Sequence, residues 1–427
     1  MIPPGKARVI DAMGMTIVEK ILAAHSGKDK VVPGEYIWAK IDETNAMTDT
    51  FEDLEKLGVD HVWDCDCVYC VSDHSAPPAN VGTAESVKKL RQYVDKYHIK
   101  NWYEYGRHGI VHQVNPERGY CRPGDLIAMI DSHSTTYGAF NAASCAIYMD
   151  AVYVLMKGEL WMKVPETIRF NVVGELPSYC MGKDIILKIA GQFGTDAAIY
   201  KAIEFGGPVI KNLSLPGRWT ICNMAAELGA KFAVMEADEK VDEFLKGRTD
   251  KPYTHIFPDP DAKYAAVHDI DVTGMSPQVA CPHDPSNVKN VEEVAGTHFD
   301  QALIGSCTNG RLEDFEMAAR ILKGKKIHPR VRLLVIPASM EVWKAAMDAG
   351  YFDILADAGA LICHPTCGPC AGQHLGVLAS DEVCLSTTNR NFQGRMGSPQ
   401  SYVYLASPAT VAASCINGVI TDPREVL

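Results

Sequence analysis

Cys307, Cys367 and Cys370 have the most informative spacing in this 427-residue chain: a Cys-Thr-Asn-Gly loop, 59 intervening residues, then a Cys-Gly-Pro-Cys turn. Three thiolates can hold a metal centre and leave one position open to a substrate, whereas a fourth ligand would close it. Taken alone, Cys-Gly-Pro-Cys admits a thioredoxin-like redox pair, half of a zinc site with His364 available as fourth ligand, or cluster ligation. A redox pair belongs at the start of a helix early in a small domain, and this turn comes late in a large chain. Cys307 sits in the small-residue loop Gly305-Ser306-Cys307-Thr308-Asn309-Gly310. It tips the reading toward an iron–sulfur cluster with one open iron.

A second set of residues suits proton transfer. Asp73-His74 follows a strand-like segment, His112 lies in Gly-Ile-Val-His-Gln, and Asp131-Ser132-His133 ends another short apolar run. Imidazoles beside carboxylates exchange protons near neutral pH. His108 and His268 stand alone and read as structural. Cys65, Cys67 and Cys70 form a further group. On a strand the first two would face one side and the third the other, so one tetrahedral site would need a bend. Buried reduced thiols are the expectation there.

The elements that must position these groups read as α/β. Thr16 and Glu19 have capping-box spacing, which predicts a helix over 17–24 stopped by Gly27. A strand over 36–41, a helix over 84–97 and a strand over 125–130 follow. The middle opens with an alternating strand over 167–173 and has helical stretches over 183–191 and 221–229. A Pro/Asp-rich excursion covers 252–263, and Cys281-Pro282-His283-Asp284-Pro285 resembles a hinge. In the last third, strands over 302–304, 331–336, 360–363 and 383–386 alternate with helices over 312–322 and 340–349, the latter capped by Ser339. Such alternation predicts a parallel sheet with ligand groups beyond the carboxyl ends of its strands. Cys307, Cys367, Cys370, Asn389 and Arg390 all fall there. The expected division is three α/β domains with parallel or mixed sheets around a cluster-bearing cleft, at 1–163, 164–285 and 286–427.

Composition narrows the partners. The net charge of −12 is spread along the chain without basic blocks, which argues against nucleic acid as a main partner. An anionic substrate must then be met by locally placed arginines. Fourteen cysteines without a signal-peptide pattern fit a reducing cytoplasm, and no run resembles a membrane span; 405–420 comes nearest and is interrupted by polar residues and proline.

Residues 304–310, Cys367–Cys370, the run Ser-Thr-Thr-Asn-Arg-Asn-Phe-Gln-Gly-Arg-Met-Gly over 386–397 and Thr-Ile-Cys-Asn-Met-Ala-Ala-Glu-Leu-Gly-Ala over 220–230 carry a resemblance. From Met15 onward the chain resembles the aconitase superfamily, specifically the large subunits of isopropylmalate dehydratase and homoaconitase-type hydro-lyases. The resemblance implies a [4Fe–4S] cluster on Cys307, Cys367 and Cys370 and reversible dehydration of a small branched hydroxy di- or tricarboxylic acid. It implies that Asp73 and His74 deliver a proton to the departing hydroxyl, that His112 pairs with Asp131, and that His133 pairs with Glu227. Asn223, Asn309 and Asn389 would line the cluster, and Arg390 and Arg395 would bind substrate carboxylate. Isopropylmalate leads among the substrates, with homocitrate-, citramalate- and dimethylmalate-like acids as alternatives.

Two departures stand out. Ser134 follows Asp-Ser-His where the family usually has threonine, and Asn141, Ala146 and Tyr148 replace glycines, which predicts a reshaped pocket. The chain also runs out at Asp422-Pro423-Arg424 with no counterpart of the swivelling domain of fused aconitases, so a separate small subunit is expected to complete the site. Two rival readings are an RNA-binding protein and a zinc-stabilised subunit without catalysis.

Overall fold

The computed structural model describes residues 14–427. The first helix, Ile17–Ser26, has the predicted capping box: the Thr16 hydroxyl accepts from the Glu19 amide and the Glu19 carboxylate accepts from the Thr16 amide at 2.8 Å. Gly27 ends it in the left-handed conformation, at φ 67°.

Three sheets organise the chain. The first is wholly parallel, in the order Asn101–Tyr103, Val68–Val71, Glu43–Asn45, Leu126–Met129, Ala143–Ala146. The second is also parallel, in the order Phe232–Met235, Ala202–Gly206, Thr167–Val173, Ala266–Asp271. In the third, Tyr402–Leu405, Val383–Ser386, Gln301–Gly305, Arg332–Ile336 and Leu361–Ile362 run parallel. Antiparallel strands Gln278–Ala280 and Val288–Asn290 extend its edge. A separate ribbon pairs Tyr36–Lys40 with Glu159–Lys163. Parallel strands buried on both faces read as near-continuous apolar runs, and Leu126–Met129, Phe232–Met235 and Gln301–Gly305 are buried throughout.

Most predicted elements have their expected place. Helices Val81–Lys96, Gly182–Phe193, Leu312–Leu322 and Met340–Asp348 form, the last with Ser339 accepting from the Val342 amide. The helix Tyr351–Ala358 escaped the sequence reading, because Gly350 at its start gives no side-chain capping signal. The interrupted apolar run near the C-terminus proves to be the end of a strand followed by the helix Pro408–Asn417, with proline in its first turn. One hydrophobic cluster contains Ile127 from the first sheet, Phe170 and Phe205 from the second, and Leu303 and Ile336 from the third. The three sheets thus share a core, so the loops at their strand ends are held against one packed body.

Candidate active site

The site is built at strand ends. Gln301–Gly305 stops where Gly305 presses on its neighbour: a Cβ there would lie 2.6 Å from the Ile336 carbonyl oxygen. The chain turns through Ser306 at φ 72°, a left-handed conformation that non-glycine residues seldom adopt, and presents Cys307. Cys367 and Cys370 follow the strand Leu361–Ile362, and Gly368 between them has φ 55°. Asn389 and Arg390 follow Val383–Ser386. The placement beyond the carboxyl ends is as predicted.

Other segments lock these loops together. The Asp73 carbonyl accepts from the Cys367 amide at 2.9 Å and the Thr366 hydroxyl at 2.8 Å, joining the end of the strand Val68–Val71 to the cysteine turn. Asn223 Nδ2 and Asn389 Nδ2 donate to Cys307 Sγ at 3.2 and 3.3 Å, and Cys370 Sγ lies 3.6 Å from Asn389 Oδ1. Asn309 does not touch these sulfurs by any hydrogen bond among the described residues. Its Nδ2 donates to Asp314 at 2.9 Å and its Oδ1 is buried without a partner.

The imidazole–carboxylate pairs form as expected. His74 Nδ1 lies 2.7 Å from Asp73, His112 Nε2 2.7 Å from Asp131, and His133 Nε2 2.8 Å from Glu227. Asp131 connects them: its second oxygen is 3.7 Å from His74 Nε2, and its first also accepts from the His133 amide at 2.8 Å. Arg390 continues the chain, with Nε donating to Glu227 at 2.7 Å and NH1 to the Ser132 hydroxyl at 2.9 Å. Burial alone would raise the Asp131 carboxyl, but His112 and His133 hold it well below the usual carboxylate range. Glu227 is likewise lowered against its burial by His133 and Arg390. The Asp73 charge raises His74 to about 9 in spite of burial. Arg395 keeps a buried Nε without a partner.

Two basic residues that the sequence reading passed over support these loops. Buried Arg311 donates to the Cys307 carbonyl at 2.6 Å and the Thr308 carbonyl at 2.7 Å, and stacks 4.3 Å from the Trp219 ring. Lys183, fully buried, donates to the carbonyls of Thr387 and Thr388, just before Asn389. Arg311 directly follows the cysteine loop and was within reach of sequence reasoning. Lys183 lies in a helix and gives no signal of its own.

The donor set fits a polynuclear iron–sulfur centre. Burial drives the Cys307 thiol up to about 12 and raises Cys367 and Cys370 as well, and a bound iron centre would supply the positive charge that such thiols lack. Among the described residues, the metal-capable group whose ligand atoms all lie within 4.8 Å of one another is Asp73, His74 and Cys367; Cys307 and Cys370 fall outside it. A single zinc ion with Zn–S bonds of about 2.3 Å needs a tighter triangle of sulfurs than that. His364 turns its Nδ1 toward the Pro365 carbonyl at 3.4 Å and does not complete a zinc site.

Three expectations need correction. Asn141 does not shape the pocket: its Nδ2 donates to the Met235 and Ile256 carbonyls at 2.8 and 2.9 Å, and its Oδ1 accepts from the Ile256 amide at 2.7 Å. It adopts φ 63°, which asparagine tolerates, and ties the approach to the strand Ala143–Ala146 to the end of Phe232–Met235 and the loop at Ile256. Tyr148 is exposed on the surface. Cys65 and Cys67 precede the strand Val68–Val71 and are half-buried, so only Cys70 is the buried thiol expected of all three.

An α/β chain with a three-thiolate centre and buried His–carboxylate pairs is an iron–sulfur hydro-lyase of the aconitase type. The chain belongs to the aconitase family (aconitate hydratase), which it matches over residues 41–299 and 289–418. It is 48% identical over 419 residues to the 3-isopropylmalate dehydratase large subunit of Sulfurihydrogenibium sp. (strain YO3AOP1), covering 97% of each chain. It is 47% identical to the corresponding large subunit of Thermodesulfovibrio yellowstonii, covering 97% of this chain and all of that one. The fold is similar to Thermococcus kodakaraensis aconitase X in its holo-form, with a TM-score of 0.50, 12% identity and 93% of this chain covered. The family's cofactor is a [4Fe–4S] cluster, and Cys307, Cys367 and Cys370 are the thiols that fit it. Among the described residues, no helix is long and apolar enough to cross a membrane.

Proposed function

We propose that this chain is the cluster-bearing large subunit of a two-subunit cytoplasmic dehydratase that isomerises 3-isopropylmalate by removing and re-adding water. The observation that carries the reading is the chain of contacts Asp73–His74–Asp131–His112 and Asp131–His133–Glu227–Arg390 beside the buried thiols Cys307 and Cys370 and the half-buried Cys367. When bound, the [4Fe–4S] cluster supplies a Lewis acid for the substrate hydroxyl and an adjoining carboxylate. His74, kept protonated by Asp73, gives the proton at Nε2 to the departing hydroxyl. Asp131 fixes the orientations of His112 and His133, and Glu227 holds the Nε2 proton of His133. Arg390 has N–H groups beyond those bonded to Glu227 and Ser132, and Arg395 has its free Nε; both receive substrate carboxylate. Asn223 and Asn389 steady the Cys307 sulfur, while Asn309 anchors its loop through Asp314.

This site offers cations and acids to the substrate, and the base that removes the C–H proton is assigned to a small subunit seated over the cleft. The three sheets support the three domains expected, but Ala280 pairs with Leu405 of the third sheet, which moves the second boundary from after residue 285 to before Gln278. Co-expression with the small subunit and an anaerobic screen of hydroxy-acids, followed by absorbance of the unsaturated product, tests the reading. Turnover of 3-isopropylmalate above the homologous acids is expected. Equal or better turnover of another acid overturns the substrate, and full turnover by the large chain alone overturns the two-subunit assignment.

A further inference from the structure

The ribbon formed by Tyr36–Lys40 and Glu159–Lys163 has two unlike faces. Ile37, Ala39, Leu160 and Met162 are buried against the chain's own core. On the other face Tyr36, Trp38 and Trp161 are 67%, 53% and 51% exposed. Trp38 stands directly opposite Trp161. The Tyr36 and Trp161 rings stack at 6.3 Å, and Trp38 leans on Tyr153 at 5.5 Å. Single exposed apolar side chains are ordinary, but a contiguous aromatic platform marks a contact surface.

The backbone shows which way that surface extends. The Ile41 amide bonds to the Gly158 carbonyl at 2.8 Å, and the Val164 amide to the Glu35 carbonyl at 2.8 Å. Antiparallel pairs alternate, so 37/162 and 39/160 are the bonded pairs inside the ribbon. Tyr36, Trp38 and Lys40 therefore aim their amides and carbonyls outward on one edge, and Glu159, Trp161 and Lys163 do so on the other. On the second edge the Tyr200 hydroxyl lies 3.2 Å from both the amide and the carbonyl of Lys163. On the first edge no strand among the described residues is paired.

We propose that the Tyr36–Lys40 edge pairs antiparallel with the same edge of a second copy of this chain, about a two-fold axis at Trp38. In that register Tyr36 faces the second copy's Lys40, Trp38 faces Trp38, and Lys40 faces Tyr36. All three pairs are of the bonded kind, each exchanging two main-chain hydrogen bonds, so the symmetry and the ladder agree. The outer face becomes a row of four tryptophans flanked by rows reading Lys163, Tyr36, Lys40, Glu159. Each Lys40 ammonium then lies between a tyrosine ring and a carboxylate. Lysine on an edge strand usually discourages pairing, and here the two-fold supplies it with partners.

Sedimentation equilibrium of the full chain, purified without oxygen alone and with its small subunit, tests this. Two copies per particle are expected. Trp38→Lys, which sets two ammoniums on the axis, is expected to weaken the association more than about thirtyfold, the scale of a central interface tryptophan. Cluster absorbance and activity of the complex should be unchanged. Trp38→Cys is expected to give a disulfide-linked dimer on mild oxidation, because bonded antiparallel pairs hold Cα atoms about 5.5 Å apart. Trp161→Cys, one strand further from the axis, is expected to give none. A single-copy particle at every concentration, a dimer indifferent to Trp38→Lys, or loss of the small subunit instead of the second copy would each overturn the proposal.

Discussion

Two groups of three cysteines lie in this chain, and only one fits a metal centre. Cys65, Cys67 and Cys70 are close in sequence, and a motif search would favour them. Cys70 is buried within a strand while Cys65 and Cys67 lie half-buried ahead of it, and among the described residues no arginine, asparagine or lysine bonds to their sulfurs. Cys307 and the pair Cys367 and Cys370 are far apart in sequence, yet each follows one of the parallel strands of a single sheet. Their loops are tied down by Arg311, Asn223, Asn389 and the Asp73 carbonyl. Proximity along the chain therefore counts for less than a shared sheet edge with support behind it.

The sharpest way to break this contrast is to exchange the two sets. Cys307→Ser is expected to abolish bound iron and lower turnover by about a thousandfold or more, the several kcal/mol that a Lewis acid supplies. Cys65→Ser and Cys67→Ser should leave iron and sulfide content untouched, as metal analysis of anaerobic protein would show.

Next in size is the carboxylate shared by the imidazoles. Asp131→Asn keeps the shape but removes the charge that His74, His112 and His133 face, and should cut kcat by about a hundredfold while the cluster absorbance persists. An unaltered kcat would detach Asp131 from the chemistry.

A smaller effect tests the support behind the loops. Lys183→Met leaves the Thr387 and Thr388 carbonyls without their buried donor and is expected to cost about 1–3 kcal/mol in denaturant unfolding. A variant as stable as the parent would show that those loops hold themselves.

The smallest effect belongs to the other triplet. Glu43, whose charge acts on Cys67, is fully buried; Oε1 accepts from Arg122 at 3.3 Å and Lys251 at 3.4 Å, while Oε2 has no partner. Despite those cations, burial prevails and lifts the carboxyl to about 8, because half of it is left dry. A folded pKa above the unfolded one stabilises below the unfolded value, and that stability is lost as pH rises through about 8. Glu43→Gln should therefore flatten the decline of Tm between about pH 5 and 9 and raise Tm at the alkaline end by about 2–4 °C.

Much of this was legible because local rules and the global fold agree. The Thr16/Glu19 box, the Ser339 cap and the βαβ rhythm of the last third each name their element from a few residues. The His112–Asp131 and His133–Glu227 pairs were legible only through the family resemblance, since nothing in the spacing brings residue 133 to residue 227. Asn141 shows the limit in the other direction. A bulky residue in place of glycine suggested an altered pocket, but its side chain spends all its polar atoms on the Met235–Ile256 region. Lys183 was hidden because a lysine inside an amphipathic helix ordinarily faces water, and only tertiary packing turns this one inward.

The thiols and their supporters are scattered from Asp73 to Arg395, and the Asp73 carbonyl holds the amide of Cys367. A ribosome must therefore release everything from Asp73 to Arg395 before the last sulfur and its neighbours can take their places. A nascent fragment that ends short of Cys367 offers only Cys307 of the three thiols. A centre held by all three thiols therefore depends on segments made far apart in time having packed together.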